Sequence, residues 1–125
     1  TDGCKYWYVN NLLHRIDGPA VEHPNGYKAW WVNGERHRIG GPAIEYSNSS
    51  DVEWYEYNVL HRIGGPAIEY SNGYMQWWIN GKLHRIDGPA IDQAGKRREW
   101  WVNGVKLNCY SQEEFDRLMK LGLFW

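Results

Sequence analysis

The chain has 125 residues, a formal net charge of −1, and nine Trp and nine Tyr against two Phe. That length suits one domain with a modest core, and near-neutral charge excludes a general attraction to nucleic acid or anionic lipid. No stretch approaches the ~20 apolar residues of a membrane span, so no membrane insertion is expected.

One phrase, His-Arg-Ile-(Asp/Gly)-Gly-Pro-Ala, occurs four times, at 14–20, 37–43, 61–67 and 84–90. An aromatic pair precedes each His, and a Glu or Asp follows each Ala two residues on. The first aromatics are Trp7, Trp30, Trp54, Trp77 and Trp100, spaced by 23, 24, 23 and 23 residues. A fixed period of that size marks a repeat architecture.

In chain order, residues 1–13 are the second half of a unit whose first half is missing, as in a piece of a longer array. The first full unit carries two Asn-Gly pairs, Asn25-Gly26 and Asn33-Gly34, each between β-prone runs. Asn-Gly is the strongest short hairpin signal, because type I′ turns need φ > 0 at both central residues. Asn72-Gly73 and Asn80-Gly81 repeat the pattern.

Two-residue loops at both turns place Trp31 opposite Arg36, Trp30 opposite His37, and Val21 opposite Trp30. One face then collects Val21, Trp30, Val32, His37 and Ile39, and later Ile68, Trp77, Ile79, His84 and Ile86. That face is expected to form the core. The other, with Ala20, Trp31, Arg36 and Arg38, is expected to stay partly open. The Gly-Gly-Pro step reads equally as a turn or as a strand kink.

The third unit has one added residue and a longer loop at 47–52, either a tolerated insertion or a specificity loop. Its second turn reads Tyr57-Asn58. The fifth unit replaces His-Arg by Leu107-Asn108, and Ser111-Gln112-Glu113-Glu114 then spells a capping box. Tyr110 and Phe115 are placed for a hydrophobic staple. Phe115, Leu118 and Met119 give an amphipathic helix closed by Gly122, with Leu123-Phe124-Trp125 packing back. This helix is read as the cap on the last repeat, with partner docking as the alternative.

The fold expected is therefore all-β. Tandem repeats of ~23 residues form one elongated twisted sheet of β-hairpins over 1–108. A C-terminal capping helix and tail follow over 109–125 in the same domain.

The candidate chemistry follows the repeat. His14, His37, His61 and His84 lie about one repeat apart, roughly 10 Å, too far to share a metal ion. They read as structural, and neither metal nor cofactor is expected. Tyr8, Trp31, Tyr55, Trp78 and Trp101 share a predicted face with Arg15, Arg38, Arg62 and Arg85, so each guanidinium can stack on one of those rings. These nine residues are the candidate binding site. The stacking alone explains them structurally. The functional reading is a row of aromatic platforms and cations suited to a protein surface, a nucleotide or single-stranded nucleic acid. Glu22, Glu45, Glu69 and Asp92 are placed to neutralise those arginines. Lys96-Arg97-Arg98 reads as a solvated turn. No nucleophile triad, carboxylate pair or phosphate loop occurs at a telling spacing, so no enzyme is expected. A single-layer sheet leaves one face to cover, which a homodimer could do. Cys4 and Cys109 lie at opposite ends and are expected to be free thiols in a reducing, cytoplasmic setting.

The runs Trp31-Val32-Asn33-Gly34-Glu35-Arg36-His37 and Trp78-Ile79-Asn80-Gly81-Lys82-Leu83-His84 resemble the MORN (membrane occupation and recognition nexus) repeat, with its Trp-x-Asn-Gly-x-x-His core. The closer likeness is to divergent MORN-like proteins of phages, bacteria and large DNA viruses that carry the His-Arg-x-Asp-Gly-Pro-Ala phrase. It covers the chain to about residue 105. The usual pattern has Gly after the His, where this chain has Arg15, Arg38, Arg62 and Arg85, so the family's phospholipid binding is not carried over. The resemblance implies an elongated sheet of twisted hairpins and a scaffold or protein-binding role without catalysis. In a phage setting the partner would be a host defence or regulatory protein in the host cytoplasm.

Overall fold

The computed structural model describes residues 2–47, 50–94 and 96–122. The expected packing of Leu123-Phe124-Trp125 and the tip of the 47–52 loop lie outside them.

Each unit contributes two pieces. Strands Lys5–Tyr6, Val21–Glu22, Lys28–Ala29, Ile44–Glu45, Val52–Glu53, Ile68–Glu69, Tyr74–Gln76, Ile91–Gln93 and Arg97–Glu99 form one antiparallel nine-stranded meander, each pairing with the next in the chain. Five short hairpins form a second row: Tyr8–Val9 with Leu12–Leu13, Trp31–Val32 with Glu35–Arg36, Tyr55–Glu56 with Val59–Leu60, Trp78–Ile79 with Lys82–Leu83, and Trp101–Val102 with Val105–Lys106. The rows join at the first tryptophan of each unit. The N–H groups of Trp7, Trp30, Trp54 and Trp77 donate to the carbonyls of Ala20, Ala43, Ala67 and Ala90 at 2.7–2.9 Å. Those four alanines are completely buried at the junction, where a larger side chain would force the rows apart.

All five hairpins turn through two residues with positive φ, as type I′ requires. Asn33 and Gly34 adopt +50° and +79°, and even Tyr57 and Asn58 adopt +48° and +68°. The first turn of each unit differs. Val21 pairs with Ala29, not Trp30, and Glu22 with Lys28. His23 N donates to Tyr27 O at 3.0 Å, so the loop is three residues, Pro24 to Gly26. Gly26 alone takes positive φ, +100°, and the Asn25 carboxamide accepts from Tyr27 N at 2.9 Å. Ser71-Asn72-Gly73 repeats this geometry, with Tyr70 N donating to Tyr74 O at 2.9 Å.

That one residue splits the predicted core face: Val21 stays in the core, with Ala29 and not Trp30 opposite it. Register places Tyr6, Val21, Ala29, Ile44, Glu53, Ile68, Gln76, Ile91 and Glu99 in one row on one side of the sheet. Lys5, Glu22, Lys28, Glu45, Val52, Glu69, Met75, Asp92 and Arg98 face the other way, a largely charged row. The core gathers Val21, Ala29, Ala43, Ile44 and Tyr55 with Leu13, Trp30, Trp31 and Leu60 among those against them. Trp31 and Tyr55 pack with this cluster, whereas Val32, His37 and Ile39 line open surface; in the last unit Trp100 and Val102 are the buried pair. Arg97 and Arg98 lie on the last sheet strand, not in a turn.

The helix α1 spans Gln112–Lys120. Ser111 Oγ accepts from Glu114 N at 3.2 Å, as the capping box predicts, and the Ser111 hydroxyl donates to Glu114 Oε1 at 3.5 Å. Gly122, at φ +68°, follows the C-cap. The staple does not form, because Tyr110 is exposed while Phe115 turns into a second cluster with Trp100, Val102, Leu107 and Cys109. Cys4 and Cys109 are free. Among the described residues no helix is long and apolar enough to cross a membrane.

Candidate functional site

The His-Arg-Ile phrase leaves each hairpin, crosses to the next unit and loops back to the sheet. It is neither a tight turn nor a kinked strand. The His and Arg at its start tie neighbouring units together. The N–H of Asn33 donates to His14 Nδ1 at 3.0 Å, and Tyr57, Asn80 and Asn103 do the same to His37, His61 and His84 at 3.0, 2.9 and 3.1 Å. Each imidazole thus accepts, on Nδ1, from the hairpin turn of the following unit. That leaves the neutral ring's proton on Nε2, where His61 faces a Glu56 oxygen at 3.3 Å. The adjacent Arg N–H groups donate to Trp31, Tyr55, Trp78 and Trp101 carbonyls of the next hairpin at 3.0–3.2 Å.

The arginine side chains fold back under their own loops. Arg15, Arg38, Arg62 and Arg85 stack on Trp7, Trp30, Trp54 and Trp77 at 3.7–3.9 Å from the ring centroids. Nη1 donates to the carbonyls of Pro19, Pro42, Pro66 and Pro89 at 3.0–3.1 Å. Carboxylates complete the set: Glu22 and Asp17 on Arg15, Glu45 on Arg38, and Asp87 on Arg85.

This corrects the expected site. The arginines stack on the first aromatic of each pair, not on Tyr8, Trp31, Tyr55, Trp78 or Trp101. Register across the hairpin turn is as expected, with Trp31 opposite Arg36, but the chain leaves the hairpin after the His, and the arginine N–H bonds the next unit instead. Tyr8 is exposed, Trp31, Trp78 and Trp101 are half-buried, and Tyr55 is buried. Tyr55 receives a different arginine, Arg36, at 4.1 Å. The structure thus takes the four arginines away from the five candidate rings, of which Trp31 and Tyr55 pack on the core.

What the loops present outward is isoleucine. Ile16, Ile39, Ile63 and Ile86 are 86, 77, 72 and 57% exposed. They stand in one row at the repeat spacing, each on a loop whose neighbouring arginine is held by ring, carbonyl and, in three units, carboxylate. Between successive loops lie open notches. One, of about 760 Å³, is floored by Trp30, Val32 and His37 between Ile16 and Ile39. Another, of about 520 Å³, is floored by Trp77, Ile79 and His84 beside Ile86. Repetition made these isoleucines visible in the sequence, but the face assignment turned them inward.

A second feature was missed. Glu53 is 7% exposed on the core side and accepts from three phenols, Tyr46 at 3.0 Å, Tyr55 at 2.9 Å and Tyr70 at 2.7 Å. Burial, followed by the bond to Glu53, pushes the Tyr55 phenol up to about 12 and raises Tyr46 and Tyr70 as well. All three remain donors at neutral pH. The residue before the first tryptophan is Tyr6, Ala29, Gln76 or Glu99 in the other units, so a Glu at that position carried no distinctive signal.

Comparison with known proteins adds no relative: no family model, no curated protein and no solved structure matches the chain.

Proposed function

We propose that this chain is a non-enzymatic, MORN-like repeat module that engages a partner protein through its loop face. The observation that carries this reading is the row Ile16, Ile39, Ile63 and Ile86. A fold that burdens solvent with four β-branched apolar side chains in a line gains nothing in the free state, and contiguous apolar surface of this kind serves contact. The arginines beneath are already occupied by rings and carbonyls and, in three of four units, by carboxylates, which disfavours a phosphate-binding role for them. By the MORN-like resemblance the partner is a host defence or regulatory protein, met in the host cytoplasm.

The test is a comparison of the parent with a variant in which Ile16, Ile39, Ile63 and Ile86 are all Ser, both verified as folded by circular dichroism. Capture from host lysate, read by mass spectrometry and by eluate absorbance at 260 nm, is expected to enrich one protein with the parent and to lose it with the variant. Equal enrichment by both, or a nucleic-acid signal without protein, overturns the reading.

A further inference from the structure

The two notches are equivalent sites two units apart. Each unit adds two strands to the sheet, so units recur about every 9.6 Å and the notches lie roughly 19 Å apart. Few backbone conformations return a side chain to one side at that interval. A β-strand does so every second residue, about 6.7 Å, and turns its third residue away from the unit between the notches. An α-helix needs seven residues, about 10.5 Å, and gains nearly 1 Å of misregister per unit. A polyproline II segment has three residues per turn and a 3.1 Å rise, which returns a side chain every ~9.3 Å. Over two units its mismatch is well under 1 Å.

The floors add a chemical pattern. Val32 and Ile79 line the two notches, and the same position in the unit between them is Glu56. Glu56 is 40% exposed, and its nearest partner is His61 Nε2 at 3.3 Å. Because His61 accepts on Nδ1 from Asn80, its neutral ring donates to Glu56 without cancelling the charge.

We propose that the loop face binds a polyproline II segment of its partner, with apolar side chains at i and i+6 in the two notches and a Lys or Arg at i+3 over Glu56. The tryptophan-floored notches suit this conformation, whose preformed backbone loses little entropy on docking. The proposal rests on the partner-binding reading and specifies what the partner presents.

The test uses the peptide GPLPPRPPLPG, titrated into the full chain by calorimetry and tryptophan fluorescence. Two controls carry one residue inserted after the Arg, or Glu in its place. The parent peptide is expected to bind at least tenfold more tightly than either control. A Glu56→Lys variant is expected to reverse the preference between the Arg and Glu peptides. Equal binding of the register-shifted peptide, indifference to charge at the central position, or tighter binding of an amphipathic helical peptide with heptad spacing overturns the proposal. Failure of all peptides alongside isoleucine-dependent capture of a partner also overturns it, while leaving the module reading in place.

Discussion

Each loop arginine is enclosed on two sides. A tryptophan ring covers one face of the guanidinium, and the glycine before the proline covers the other. A Cβ built on Gly41 would sit 2.7 Å from Arg38 Cζ, and on Gly88 2.5 Å from Arg85 Cζ. Neither glycine has positive φ, so close approach and not backbone freedom explains it. Gly41→Ala is therefore expected to cost about 1–2 kcal/mol by overpacking a pinned side chain. In an Arg38→Ala background the same change is expected to be neutral or slightly stabilising, because alanine restricts the unfolded chain. Urea unfolding of both single variants and the double variant checks this. A coupling below about 0.3 kcal/mol would show that the glycine is there for another reason. The sequence made it legible that these arginines stack on rings, but not on which rings, since adjacent tryptophans differ only in parity.

The register of the sheet was decided by another element, the first turn of the unit. Asn-Gly serves a two-residue type I′ loop and also a type I turn followed by a left-handed glycine. At Asn25-Gly26 the Asn25 side chain bonds Tyr27 N and Asn25 stays out of the left-handed region, and Asn72 does the same with Tyr74 N. The hairpin turns and the helix cap were readable because each rests on a local rule, and the structural role of the histidines because it recurs at every repeat. The Glu53 cluster was not, because it joins Tyr46, Tyr55 and Tyr70 from separate strands. It has a measurable pH signature. A phenol whose folded pKa lies above the unfolded value of about 10 stabilises the fold below that pH, and the stabilisation is lost as pH rises through the folded value. Stability is thus expected to fall as pH rises above about 10, through about 12 where Tyr55 ionises, with Tyr46 and Tyr70 following at higher pH. Absorbance at 295 nm should leave at least three of the nine tyrosines unionised at pH 11. Glu53→Gln should bring their ionisation to lower pH. Full phenolate absorbance at pH 11 with native circular dichroism would remove Glu53 and its phenols from the alkaline stability of the fold.

Across the whole molecule, each unit is tied to the next by a histidine clip, an arginine N–H and a sheet pairing, so stability is transmitted between neighbours. The last unit has no successor to clip, and its sequence changes accordingly. Leu107 stands where His84 stands one unit earlier, its N–H bonded to Trp100 O as His84 N–H bonds to Trp77 O, and it is buried. Asn108 replaces the arginine, and α1 takes up the buried Trp100 instead. Gln112 accepts from Trp100 Nε1 at 2.8 Å and donates to Ile86 O at 3.1 Å. Phe115, fully buried against Trp100, Val102 and Leu107, holds the helix there. Phe115→Ala is expected to cost about 3–5 kcal/mol of local stability. In a quasi-one-dimensional array that loss should fray the C-terminal end before it reaches the centre. Hydrogen exchange should therefore accelerate first over 97–107, while amides at 20–46 keep their protection. A uniform rise across both segments would mean that the array unfolds as one cooperative body, with the cap stabilising every unit at once and not only the end it covers.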